Sequence, residues 1–215
     1  MSGAPSHPAE PGAQVSPQWA EWRRRIDLTE YESRFLGSDA HGEADLVASL
    51  RPTSVLDAGC GAGRMAIELA RRGLDVAGVD LDPDIIELAA RHAPQIPWAV
   101  ADLADFELGR RFDVVAMAGN VMLYCRAADR VAVVRCCARH LAPGGLLVAG
   151  FSLRGQPGDL TLVDYDDAAA GCGLELVHRW STWDRQPFEG RADYAVSVHR
   201  RPSAQGVETC EDLRP

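Results

Sequence analysis

Nine residues, Val55-Leu56-Asp57-Ala58-Gly59-Cys60-Gly61-Ala62-Gly63, constrain this chain more than any other stretch. A short apolar run comes first, an acid stands where it ends, and glycines then alternate. Met65, Ile67, Leu69 and Ala70 follow with the apolar rhythm of a helix. That order predicts a buried strand, a tight turn and a helix. Glycine allows backbone angles that a Cβ forbids and lets a ligand come close to the main chain. The first turn of the helix should aim unpaired N–H groups at such a ligand. A strand-to-helix turn with no ligand is the plainer alternative.

The spacing narrows the choice of ligand. Gly59, Gly61 and Gly63 form Gly-x-Gly-x-Gly, whereas dinucleotide enzymes use Gly-x-Gly-x-x-Gly. Arg64 occupies the position where that third glycine would fall. Asp57, just before the turn, would repel a pyrophosphate and favour a cation. A second strand, Asp75-Val76-Ala77-Gly78-Val79-Asp80, then ends in Asp80, 21 residues beyond Gly59. That is close to the separation expected of an acid that accepts hydrogen bonds from both hydroxyls of a ribose. Asp80 can also be a turn acid, because Asp82-Pro83 opens a helix directly after it.

Further along, Val100-Ala101-Asp102-Leu103 follows a third strand. Phe112-Asp113-Val114-Val115 begins a fourth, and Leu141-Ala142-Pro143-Gly144-Gly145-Leu146-Leu147 turns into a fifth. With Leu56-Asp57-Ala58-Gly59-Cys60-Gly61-Ala62-Gly63 and Asp80, these landmarks resemble the class I S-adenosylmethionine-dependent methyltransferases over roughly Thr53 to Arg201. The resemblance implies an α/β fold: a doubly wound, Rossmann-like sheet of seven mostly parallel strands, the last antiparallel, with an N-terminal helical lid. It implies S-adenosyl-L-methionine as cofactor. Asp57, Ala58, Gly59 and Gly61 would form the loop beneath it, and Asp80 would hold the ribose. Leu81 would lie on the adenine face. Ala101, Asp102 and Leu103 would meet the adenine edge, with Asp105 as a nearby alternative acid. Gly119, at the end of the fourth strand, would face the transferred methyl group, and Asn120 and Tyr124 would face the acceptor. Family members that methylate exocyclic base amines carry Asn/Asp-Pro-Pro-aromatic at this strand end. Here it reads Gly119-Asn120-Val121-Met122, which disfavours base methylation.

Tyr31 and Arg34 are three apart on the lid segment and share a helix face. Arg34 can make a two-pronged contact with the cofactor carboxylate, or it can pair with Glu30 on its own helix. His41 and Glu43 fall in the hinge before the next helix; either can face the active cleft, with a solvated turn the ordinary expectation. A hydroxyl or ammonium acceptor would need a base. His41, Tyr31 and Tyr124 are candidates, and no catalytic residue and no metal ligand stands out.

The 215 residues suffice for one α/β domain. The boundaries expected are a tail over 1–16, a helical lid over 17–52, the cofactor-binding domain over 53–201 and a polar tail over 202–215. Ser16 should cap, and Pro17 begin, a helix that carries Trp19, Trp22, Tyr31 and Phe35 as far as a break at Gly37. A formal charge of −9 with no long basic run lacks the footprint of a nucleic-acid or anionic-membrane binder. No apolar run is long enough for a membrane span, and the cysteines show no pairing rhythm. A soluble cytoplasmic protein with free thiols is expected.

The helix from Ala127 to His140 should bury Val131, Val134 and Ala138, and the adjacent Cys136 and Cys137 should not both face the core. Strand five is expected from Leu146 to Phe151. Trp183 and Phe188, between the last two strands, suit sheet-edge packing. The favoured function is methyl transfer to a small molecule, with the oligomeric state left open. Two rivals stand beside it: a nicotinamide oxidoreductase on a similar sheet, and a non-catalytic module that only binds the cofactor.

Overall fold

The computed structural model describes residues 15–35, 42–155, 159–190 and 192–203; of residues 33–35 it describes the backbone alone. Seven strands form one sheet in the order β3-β2-β1-β4-β5-β7-β6. They are β1 (Ser54–Ala58), β2 (Asp75–Asp80), β3 (Trp98–Val100), β4 (Phe112–Met117), β5 (Leu141–Ser152), β6 (Glu175–Trp180) and β7 (Tyr194–Arg200). The first five run parallel, and β7 lies antiparallel between β5 and β6. The chain order reverses between β1 and β4. In a doubly wound sheet that switch point opens a crevice at the strand ends.

Successive side chains of a strand face opposite sides, and the core divides accordingly. Val55, Val76, Val114 and Val148 pack under α3 (Glu43–Ser49) and α4 (Arg64–Arg71). Leu56, Val79, Val115 and Leu147 pack under α7 (Arg130–Arg139) and α8 (Leu162–Gly171). Each fully buried aliphatic or aromatic side chain contributes roughly 1.5–3 kcal/mol relative to exposure. Helix α5 (Pro83–His92) starts at Pro83 behind the N-cap Asp82, whose carboxylate accepts from the amides of Asp84 and Ile85.

Several expectations give way. The N-terminal segment is two helices, α1 (Pro17–Arg25) and α2 (Leu28–Phe35). Asp27 makes the break, because its Oδ1 accepts from the amides of Thr29 and Glu30 and starts a new helix. Strand β5 begins at Leu141, which pairs with Phe112. The pairing then slips, and Pro143-Gly144-Gly145 bulge out before Val114 meets Leu146. Val131 is half exposed, at 50%.

Cys136 and Cys137 are both buried. Helix α7 is covered on two sides: Cys137 Sγ lies 3.9 Å from Met117 Sδ on the sheet, while Cys136 Sγ donates to the Phe106 carbonyl at 3.2 Å. Gly37, His41 and Cys210 lie outside the described residues. Among the described residues no helix is long and apolar enough to cross a membrane.

Candidate active site

A cavity of about 300 Å³ opens at the carboxyl ends of β1, β2 and β4. Its floor is the glycine loop, and its walls include Asp57, Asp80, Leu81, Asp102, Leu103 and Gly119. Helices α1 and α2 contribute Trp19, Trp22 and Tyr31, and the short helix α6 (Val121–Tyr124) contributes Tyr124. Trp22 stands edge-on to Tyr31 and tilted against Tyr124, each pair with ring centroids 5.8 Å apart. Aromatic pairs at such distances favour these offset geometries.

The loop spends its own amides on the protein. Gly59 and Cys60 both donate to the Val79 carbonyl, at 2.8 and 3.0 Å, and Gly63 donates to the Cys60 carbonyl. Gly61 donates to Asp80 Oδ2 at 2.8 Å. The Ala62 amide meets the Tyr31 hydroxyl, whose ionisation burial pushes up. Gly61 has φ +53°, and a Cβ there would stand 2.6 Å from Tyr31 Oη. Both the backbone angle and the close approach of α2 therefore require glycine.

With these loop amides occupied, the side chains beside them come forward. Asp80, at the tip of β2, accepts from Gly61 and, through Oδ1, from Asp82 at 3.1 Å. A carboxylate offers about four lone-pair sites, so two hydrogen bonds leave capacity toward the cavity. Burial holds its pKa above the ordinary carboxylate range. Asp57 is 2% exposed, and its Oδ2 accepts from Ala66 in the first turn of α4 at 3.2 Å. Gly63, the N-cap of α4, makes no side-chain cap. Burial first, then the charge of Glu43, push Asp57 up to about 7. Asp102 Oδ1 accepts from Ala104 at 2.9 Å.

Not every expected residue reaches the cavity. Ala58 is buried in β1, and Ala101 donates its amide to Asp80 O at 2.9 Å; neither lines the wall. Asn120 also stands off it: at φ 67° it turns the chain, and its Oδ1 accepts from the Ser152 amide at 2.8 Å. The backbone of Arg34 belongs to α2, but its side chain lies outside the described residues. Of the three candidate bases, Tyr31 and Tyr124 line the cavity and His41 is outside the described residues.

Of the two places open to Glu43, cleft or solvent, it takes the cleft. It is 2% exposed, lines the cavity, and its carboxylate receives a hydrogen bond from Arg64. Trp19 and Trp22, which the sequence shows only as an apolar helix face, also reach the wall, as does Cys125.

Polar clasps fix the N-terminal helices here. Ser16 caps α1 and donates to the Tyr124 carbonyl at 2.5 Å. Arg23 bonds Asp82 at 2.5 Å and Asp84 at 2.7 Å, and Glu32 bonds His92 at 2.8 Å. The Asp82 side chain is 4% exposed and that of Arg23 is 24%, which puts the pair between surface and buried ion pairs. Arg23→Ala is expected to destabilise the docking of α1 by about 1–2 kcal/mol. Hydrogen exchange should show α1 amides opening roughly five- to thirtyfold more often, and unchanged protection would mean that the aromatic contacts suffice.

Comparison with known proteins bears on this geometry. A family described as "Methyltransferase domain" matches residues 55–145. A TehB-like SAM-dependent methyltransferase from Corynebacterium glutamicum superimposes with a TM-score of 0.73 at 31% identity, covering 86% of this chain and 98% of that one. A dTDP-4-amino-2,3,4,6-tetradeoxy-D-glucose N,N-dimethyltransferase from Saccharopolyspora spinosa is 37% identical over 52% of this chain and 48% of its own length. A ubiquinone biosynthesis O-methyltransferase from Cereibacter sphaeroides is 35% identical over 66% of this chain and 56% of its own. The chain thus spans about half the length of the curated relatives it matches. At the identity and coverage of the structural relative, this chain belongs to the class I S-adenosylmethionine-dependent methyltransferase family.

Proposed function

We propose that this chain binds S-adenosyl-L-methionine in the cavity at the ends of β1, β2 and β4 and transfers its methyl group to a small molecule. The observation that carries the reading is the composition of the cavity wall. Glu43, Asp57, Asp80, Asp102 and Asp129 face Arg64 and Arg126, and each guanidinium is already paired, with Glu43 and with Asp129. That excess of carboxylates suits a cation and repels a pyrophosphate, which counts against the nicotinamide reading. S-adenosylmethionine brings an electrophilic methyl on a sulfonium, so the cofactor supplies the reactivity.

The residues present fit that group. Asp80 has lone pairs left for the ribose hydroxyls, Leu81 and Leu103 offer apolar faces to the adenine, and Asp102 can accept its amino group. Gly119 leaves the end of β4 open, since a Cβ there would meet nothing within 4 Å. The chain's contribution is to hold the reactants in line and dry; orientation supplies on the order of 7–11 kcal/mol in such reactions. The helical segment 17–52 serves as the lid, with Trp19, Trp22 and Tyr31 on the cavity wall, and residues 53–201 form the cofactor-binding domain. Asn120 acts on the acceptor by shaping the strand end, and Tyr124 by walling it.

The relatives methylate both nitrogen and oxygen by name. A small acceptor in a cytoplasmic setting, without nucleic acid, agrees with the charge of −9.

Calorimetry with S-adenosylmethionine, followed by labelled-methyl transfer across amine and hydroxyl metabolites, tests the reading. Binding and labelled product are expected. Binding of a nicotinamide dinucleotide in place of S-adenosylmethionine would reverse it, and tight binding without any product would leave a binding module.

A further inference from the structure

We infer that Glu43 is a specificity residue of this cavity: together with Asp57 it selects the cationic sulfonium form of the adenosyl cofactor over its neutral thioether product. The inference rests on the proposed reading of the cavity and adds a residue that the glycine-loop motif does not contain. Glu43 opens α3, is 2% exposed, and reaches the wall from the N-terminal segment. Asp57 reaches it from β1 and Asp80 from β2. Among the described residues that line this end of the cavity, Arg64 of α4 is the one cation, and its guanidinium is bonded to Glu43.

A buried carboxylate must be paired or protonated. Among the described residues, three carboxylates and one guanidinium make the loop end of the cavity negative once Asp57 is ionised. Of the loop amides, that of Gly61 donates to Asp80 and offsets part of that charge, while those at 59, 60 and 63 donate to carbonyls and do not. S-adenosylmethionine and S-adenosylhomocysteine differ by a methyl and one positive charge, and a field of this sign separates them. Release of the product after transfer is favoured by the same field.

The groups facing Asp57 are Glu43 from α3, Arg64 and the Ala66 amide from α4, Asp80 from β2 and the Cys60 thiol of the loop. Tyr194 of β7 faces Glu43, and Tyr31 of α2 faces Asp80 and Arg64. Asp57 ionises near pH 7 because it is buried beside Glu43. A cation draws it into the ionised form, so sulfonium binding releases a proton below about pH 7 and strengthens as pH rises to that point. Above it Asp57 is already ionised and affinity levels off. The thioether product should show a shallower dependence.

The test is calorimetry of S-adenosylmethionine and S-adenosylhomocysteine from about pH 6 to about pH 8.5 in buffers of differing ionisation enthalpy. Wild type, Glu43→Gln and Arg64→Gln are compared. Glu43→Gln is expected to lower the sulfonium-to-thioether affinity ratio about tenfold, the scale of one neighbouring charge. Arg64→Gln is expected to raise it, because it uncovers carboxylate.

Structural damage from breaking the ion pair would move both variants the same way, and that outcome overturns the inference. An unchanged ratio in Glu43→Gln overturns it too, while leaving the proposed function standing. A wild type that binds neither ligand overturns both.

Discussion

Asp80→Ala is expected to weaken S-adenosylmethionine binding by about 1–3 kcal/mol, roughly 5- to 150-fold in dissociation constant. Two losses combine. The ribose loses an ionised acceptor, and the glycine loop loses the carboxylate that now takes the Gly61 amide at 2.8 Å and the Asp82 amide at 3.1 Å. Asp80→Asn separates them. Its amide oxygen can keep one backbone bond while the charge is gone, so a fall close to that of alanine would assign the effect to charge. Calorimetry measures both, with thermal unfolding as the check on the loop. An unaltered dissociation constant in Asp80→Ala would contradict the ribose assignment.

What could be read from the sequence follows from how local each feature is. The loop, Asp80 and the strand after it are written in consecutive residues, because a strand, a turn and a helix N-terminus each draw their hydrogen bonds from close neighbours. The order of strands follows from the family resemblance and the parallel crossovers.

Glu43 was legible only as one of two hinge residues able to face the cleft. Its burial depends on Arg64, 21 positions away, and on the wall that both complete. Nothing in its own helix distinguishes it from a first-turn acid that favours the helix dipole. The two cysteines of α7 misled for the same reason. Period 3.6 predicts one buried face, but this helix is covered by the sheet and by the Phe106 segment at once. The motif shows where the loop amides are, but only the folded chain shows that Val79, Cys60, Asp80 and Tyr31 already use them.

The third glycine of the loop shows how a motif residue can serve the fold. Gly63 sits at φ +79°, and a Cβ there would stand 2.3 Å from Trp98 Cη2. The indole cannot swing away freely, because its Nε1 donates to the Ala93 carbonyl at 2.9 Å. Gly78 on β2 is pressed by the same ring, with Trp98 Cζ3 2.3 Å from its would-be Cβ.

Gly63→Ala therefore meets two penalties. The left-handed backbone costs about 1–2 kcal/mol for a residue with a side chain, and overpacking against a held ring costs about 1–3 kcal/mol. A loss of roughly 2–5 kcal/mol is expected, read from the shift of the urea midpoint at constant slope.

Trp98→Leu removes the ring and should cost stability alone, yet in the double variant it should return the steric part of the Gly63→Ala loss and leave the backbone part. The coupling between the two sites is the steric term itself. If Gly63→Ala costs the same with and without the indole, the glycine is there for its backbone angle alone. If it costs under about 0.5 kcal/mol in both, the turn tolerates a side chain and the packing argument fails.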